Sequence, residues 1–278
     1  MSSLSRLISW SFEIDRIARL LAISREELAF RIFADEDWQE LGRAMYGRSA
    51  KYSRGSPHNE SGLFAFERAA IDEHFPAPPA SILVGACGGG RELFPLVERG
   101  YHIAAAYDPV DGFVATLRED PRLFESRERL CVGSHQGLQS LAAIVDLRKS
   151  GTPVDAVLVG WGSYTHLMGA TQRIAFLRAL RSLCPRGPVL LSFFVETGSE
   201  AERPRKFRSK LRRLLGTTDA MAQAGDRLHR GAGGVHHFTE ATFTSEAAAA
   251  GYRVQHWQEH DFAAAHAILS PDFASSSS

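Results

Sequence analysis

Cysteine is scarce: Cys87, Cys131 and Cys184 are the three in 278 residues, far apart and without a Cys-x-x-Cys pair. That usage argues for reduced thiols in a cytosolic protein and against a disulfide framework or a structural zinc site. Excess charge of either sign is absent, with 32 basic and 32 acidic side chains. Nothing global therefore marks a nucleic-acid binder, and charged partners must be sought in local patches. No stretch offers about 18 apolar residues in a row. The N-terminal "MSSLSRLISWSFEIDRIARLL" has no unbroken apolar core and no small-residue cleavage site. A cytoplasmic protein without a membrane span is expected, and no internal repeat is present. What the chain does have is 44% hydrophobic residues, ample for one large α/β domain or two small ones.

Residues 4–46 read as helical. Leu7, Ile14, Ile17, Leu21, Leu28 and Ile32 are spaced 7, 3, 4, 7 and 4, with a capping box at Ser24 and Glu27. Trp38, Leu41 and Met45 continue the spacing. A polar segment, "GRSAKYSRGSPHNESG", follows at 47–62, then a short amphipathic helix over 63–75. "PAPPA" at 76–80 stops that helix and marks the domain boundary. From residue 81 strand-length apolar runs at 82–86, 102–107, 130–133, 154–160 and 189–194 alternate with helical stretches near 91–99, 109–119, 136–149 and 171–184. That rhythm predicts a largely parallel sheet covered by helices. Residues 196–234 interrupt it with charge and glycine. One more helix, 240–250, precedes "YRVQHWQEH" and "FAAAHAIL", whose short link demands an antiparallel hairpin. The segment 271–278, ending in "SSSS", reads as a flexible tail.

Ligands of open α/β sheets bind outside the carboxyl ends of the strands. A glycine-rich turn after the first strand, "GACGGGRE", belongs there. Its glycines let the backbone pass close to a ligand, and the next helix points its free N–H groups inward. Asp108 lies 18 residues past Gly90 at the end of the second strand, where a carboxylate can accept from two ribose hydroxyls, and Pro109 stops the strand. The bland alternative is a tight strand-to-helix turn holding nothing. A dinucleotide turn would need glycine where Cys87 or Leu93 stands, and no G-x-x-x-x-G-K-[ST] is present.

"ILVGACGGGRE" followed by "YDP" resembles the first two motifs of the class I S-adenosylmethionine-dependent methyltransferases. The resemblance extends over residues 81–270. "DAVLVGWGSYTHL" is similar to that family's fourth strand and loop, "IAFLRALRSLCPRGPVLLSFF" to its helix, Pro-x-Gly turn and fifth strand, and "HHFTEATFTSEAAAAGYRVQHW" to its late elements. The resemblance implies a Rossmann-like, mostly parallel seven-stranded sheet with an antiparallel C-terminal hairpin and helices on both faces. Residues 1–76 would be a helical cap or lid, 81–270 the cofactor domain, and about 196–234 a basic insertion within it. It implies S-adenosyl-L-methionine as cofactor, held by Gly85, Ala86, Cys87, Gly88 and Gly90 of the turn and by Asp108 and Pro109. Ser134 and His135 stand in "GSHQG", where the family often has an aspartate at the adenine. Gly160, Trp161 and Tyr52 complete the expected cofactor set. The sequence departs from the pattern at Ala86, in the place of the first glycine, at Val84, in the place of a frequent acid, and at Pro95, which should delay or kink the following helix.

Direct displacement from a sulfonium requires alignment and exclusion of water, not an enzyme nucleophile. A hydroxyl or ammonium acceptor gains from a general base, and the loop "GWGSYTHL" offers His166 and Tyr164. His237 is the second candidate, from the adjacent pair His236 and His237, whose side chains should point to opposite sides. His236, His237 and Glu240 lack a third ligand in defined spacing, so no metal is expected. Tyr46, Tyr52, Arg54, His58 and Asn59 make the polar linker a candidate lid. "RPRKFRSKLRR", 203–213, carries seven basic residues on a helix with Phe207, Leu211 and Leu214. Such a face is either solvated or fitted to an anionic acceptor or surface. The expected partner is a small-molecule or peptide acceptor methylated on oxygen or nitrogen in a biosynthetic role. Nucleic acid is disfavoured, and a homodimer is admitted. Two rivals stay open: a nicotinamide-dependent oxidoreductase on a related fold, and a non-catalytic methyltransferase-like binding domain.

Overall fold

A computed structural model of the chain describes residues 3–196, 202–217, 222–229, 231–261 and 263–273. Four helices come first: α1 Ser3–Ile32, α2 Asp35–Gly47, α3 Pro57–Glu60 and α4 Ala65–His74. The α/β part runs β1 Ser81–Gly85, α5 Leu93–Glu98, β2 His102–Asp108, α6 Asp111–Arg118, β3 Leu130–Val132, α7 Ala142–Ser150, β4 Ala156–Val159, α8 Ala170–Leu183 and β5 Val189–Val195. After it come α9 Glu202–Leu215, β6 Asp226–His229, β7 Gly233–Phe238, α10 Glu240–Ala249, β8 Tyr252–His260 and β9 Ala264–Pro271. Among the described residues no helix is long and apolar enough to cross a membrane.

The sheet body has seven strands in the order β3-β2-β1-β4-β5-β9-β8. Its first five strands pair in parallel, and β9 inserts antiparallel between β5 and β8. Period-2 alternation splits the side chains between two cores. Leu83, Val157, Val159, Leu191 and Phe193 face α7, α8 and α10, whereas Ile82, Val84, Leu158 and Leu190 face α4, α5 and α6. The strand order reverses on either side of β1, so the carboxyl ends of β1, β2 and β4 open on one crevice.

Three local expectations are corrected and a fourth, at Pro95, is resolved. The inserted stretch before α10, expected only as an interruption of charge and glycine, is a β6–β7 hairpin whose Phe238 pairs with Val195 of β5, an addition to the expected seven-stranded body. The capping box at Ser24 and Glu27 does not form, because α1 continues through it. Ser24 Oγ donates instead to Leu20 O at 2.9 Å, the bond that lets serine sit inside a helix. Glu27 is drawn off by Arg208 and Arg212 of α9, at 2.8 and 2.6 Å. Pro95 falls in the first turn of α5, where a missing N–H costs nothing, so the helix starts late and is not kinked. Finally, β9 reaches Pro271. Residues 274–278 of the expected tail, and 197–201, 218–221 and 230 of the basic insertion, lie outside the described residues.

A third core joins the N-terminal helices to the hairpin through Phe30, Trp38, Met168 and Ala222. Gly234 of β7 lies under the Trp38 ring, where a Cβ would come within 2.7 Å of it. That contact fixes α2 over the carboxyl ends of β4 and β5.

Candidate functional site

β1 ends at Gly85, and the chain turns through the left-handed region at Ala86, Gly88 and Gly90, with φ of 52°, 51° and 98°. Ala86 holds there a conformation that an L side chain rarely adopts. Cys87 is buried under the turn, its N–H donating to Tyr107 O at 3.1 Å. Asp108 closes the other side. Its Oδ2 accepts from Gly88 N–H at 2.8 Å and its Oδ1 from Val110 N–H at 2.9 Å. Pro109 has no N–H to give, so the carboxylate reaches one residue further, to Val110. Each oxygen keeps further acceptor capacity. Asp108 is 5% exposed. Burial pushes its carboxyl up to about 6, against the pull of the two N–H bonds, and Glu92 adds to the rise.

Arg91 and Glu92 follow the glycines, and both are buried. Arg91 donates to Glu67 Oε1 and Oε2 at 2.6 and 2.8 Å, to Gly62 O at 2.9 Å and to Glu92 Oε1. Its guanidinium also lies 4.0 Å from the Phe64 ring centroid. Glu67 does a second task at the start of α4, accepting from Phe64 N–H at 2.7 Å. Glu92 Oε1 accepts from Trp161 N–H at 3.2 Å, on the loop after β4. One buried cation and its two carboxylates thus tie α4, the glycine turn and the β4 loop together.

The polar linker lies directly on the turn. Tyr52 O accepts from Gly89 N–H at 3.1 Å, and a Cβ on Gly89 would stand 2.6 Å from both Arg54 N and Asn59 Nδ2. Arg54 itself pairs with Asp120 at 2.7 Å. The Tyr52 ring packs 5.0 Å from Tyr46 of α2, and the Tyr46 hydroxyl meets His166 Nε2 at 2.8 Å. His166 Nδ1 faces Gly234 O at 3.2 Å. A carbonyl can only accept, so Nδ1 carries the proton and Nε2 accepts from Tyr46. Burial holds His166 down to about 4, and raises the Tyr46 hydroxyl above its ordinary value. At neutral pH the pair is uncharged.

The turn residues Gly85, Ala86, Cys87, Gly88 and Gly90 therefore meet Asp108, Pro109, Gly160, Trp161, Tyr52 and His166 in one crevice. Four other expected residues are placed differently. Tyr164 is fully buried among Phe193, Phe238 and Phe243, stacked 5.3 Å from Phe238, and not open to a ligand. The left-handed Gly162 starts a tight turn that sends Tyr164 into the core and His166 to Tyr46. His135 is buried against the Tyr107 hydroxyl at 2.7 Å, and burial lowers it to about 3. Ser134 Oγ donates to Gln39 Oε1 at 2.9 Å. His237 Nδ1 donates to Val195 O at 3.2 Å, while His236 turns away to Asp226 at 2.7 Å. Of the basic helix α9, Arg208 and Arg212 are taken up by Glu26 and Glu27 of α1 rather than offered to an anion. Arg91, Glu92 and Glu67 had no assigned role in the sequence. Their one signal was a charged pair directly after a glycine run.

No protein-family model and no curated protein matches the chain. Solved structures do. The CcbJ methyltransferase from Streptomyces caelestis superposes with a TM-score of 0.54 at 16% identity, over 82% of this chain and 98% of that one. Magnesium protoporphyrin IX methyltransferase from Synechocystis PCC 6803, solved with bound S-adenosylmethionine, gives 0.52 at 12% identity, over 85% and 98%. The chain has the class I methyltransferase fold.

Proposed function

We propose that this chain is an S-adenosylmethionine-dependent methyltransferase acting on an oxygen or nitrogen of a small-molecule or peptide acceptor, with residues 1–76 as its cap. One observation carries the reading: in this fold, a buried carboxylate with unused acceptor capacity, Asp108, closes a glycine turn at the carboxyl ends of β1 and β2. The donor set fits the cofactor. Glu67, Arg91 and Glu92 together carry one negative charge and Asp108 a second, which suits a ligand bearing a sulfonium and an ammonium. When bound, that cofactor supplies a methyl group on a positively charged sulfur.

Asp108 would accept from the ribose hydroxyls. Trp161, held by Glu92, and the polar linker would shield the crevice from water. His166 takes the proton that a hydroxyl acceptor releases on methylation, or that an ammonium acceptor gives up before its nitrogen attacks. The route runs through Tyr46, whose hydroxyl gives its proton to Nε2 and receives the acceptor's.

Calorimetric titration with S-adenosylmethionine, S-adenosylhomocysteine and NADH tests the reading. Micromolar binding of the first two is expected; binding of NADH alone, or of none, would overturn it. With an acceptor identified by radiolabelled methyl transfer, His166→Ala should lower kcat by about 10²-fold or more while leaving cofactor affinity unchanged. Tyr46→Phe, which cuts the same route, should lower kcat comparably. A His166→Ala enzyme with full turnover would remove the proton-transfer role.

A further inference from the structure

Trp10, Ile14, Ile17, Leu21, Leu28 and Ile32 of α1 follow one another at 4, 3, 4, 7 and 4 residues and are 46% to 70% exposed. The second half of α1 is anchored by its opposite face. There Ile23, Glu26, Glu27 and Phe30 are buried, and Glu26 Oε1 accepts from Leu228 N–H at 2.7 Å. Residues 12–19 have no such anchor: every one of them is exposed. A helical stretch of this kind is marginal in water without packing, and its stripe, averaging about 3.7 residues per step from Trp10 to Ile32, keeps to one face of the helix.

We propose that α1 is a dimerisation helix, pairing antiparallel with α1 of a second copy of this chain. Six side chains of that size and exposure present on the order of 600 Å² per chain, at the top of what monomers leave uncovered. The pair would bury on the order of 1,200 Å², the lower bound of a specific interface. A two-fold axis between Ile17 and Leu21 sets Ile17 against Leu21 of the second copy, Trp10 against Leu28 and Ile14 against Ser24. The same patch serves both copies, as a closed dimer requires. Each unanchored half then lies along the other chain's anchored half. A parallel, in-register pair would instead bring Arg31 against Arg31. Glu13 and Asp15 stand among Arg6, Arg16, Arg19, Arg25 and Arg31, and Glu26 and Glu27 are taken up by Arg208 and Arg212, so the charge along the helix is mixed in sign rather than the dense basic run of a helix fitted to an anionic membrane.

Sedimentation velocity of the full chain at tens of micromolar should give twice the 30.6 kDa chain mass. Ile17→Asp/Leu21→Asp should halve that mass while the far-ultraviolet dichroism keeps its sheet signal. Because that variant could unfold, Ala18→Cys supplies a second readout. It lies beside the two-fold axis and should give a disulfide-linked dimer on mild oxidation, whereas Trp10→Cys, far from the axis, should not. A monomeric wild type overturns the proposal, including one that pellets with phosphatidylserine vesicles, which would assign the stripe to a membrane surface. Self-linking of Trp10→Cys overturns the antiparallel pairing.

Discussion

Arg91→Met should destabilise the protein by about 3–5 kcal/mol, because it leaves Glu67 and Glu92 buried without their shared cation. Arg91 makes four side-chain hydrogen bonds, two of them the parallel fork to Glu67. A lysine cannot span that fork from one ammonium, so Arg91→Lys should recover only part of the loss. In a domain of this size the methionine variant should melt roughly 6–20 °C lower, followed by calorimetry or circular dichroism. Adding Glu67→Gln and Glu92→Gln should restore part of the stability, since the triple variant buries no unpaired charge. A single variant melting within about 2 °C of wild type would show that the two carboxylates are relieved by water or protons instead. The consequence reaches the crevice as well. Glu92 holds Trp161 N–H and sits beside Gly160, so losing Arg91 frees the side chain that fixes the β4 loop.

The parts of this arrangement that the sequence disclosed are those set by local pattern. The five parallel strands are apolar runs bounded by breakers, and the tight link near Asp261 left β8 and β9 no geometry but a hairpin. The glycine turn and Asp108 were legible because their spacing is a property of one β-α-β unit. What was hidden depends on partners far along the chain. Glu27 looks like the third helical residue of a capping box until Arg208, 181 residues away, takes its carboxylate. The glycines of "GAGG" read as an interruption because glycine disfavours strands, yet β7 begins at Gly233, and Gly234 admits the Trp38 ring. Arg91 and Glu92 read only as the start of a helix, because nothing local announces that α4 will cover them with Glu67. Tyr164 and His166 are two residues apart in one loop, and only the left-handed turn at Gly162 decides that one enters the core and the other meets Tyr46.

Asp108→Ala should weaken S-adenosylmethionine binding by about 1.5–3 kcal/mol, roughly 10- to 150-fold, the range for hydrogen bonds to a charged group. A folded variant with unchanged affinity would move the ribose elsewhere in the crevice. The pH dependence gives an independent reading of the same carboxyl. Its value without ligand is raised to about 6 because burial disfavours the anion. Above that pH the group is ionised, able to accept two hydroxyl donors and to attract a cationic ligand. Below it the group binds a proton and loses both properties, so affinity must fall as the pH falls. Between pH 7 and 5 the ionised share drops from about nine-tenths to about one-tenth, a loss of roughly tenfold in affinity. The cofactor's own ammonium keeps its charge over that range, which leaves Asp108 as the group that titrates at the ribose end. Asp108→Asn should bind weakly at both pH values and show no such slope. A wild-type affinity that is flat from pH 7 to 5, with the fold intact by circular dichroism, would mean that the Asp108 carboxylate does not face the ligand. The buried position that makes this aspartate costly in the free protein is then what makes it selective: its charge is most favourable when a cation and two hydroxyls replace the water that folding removed.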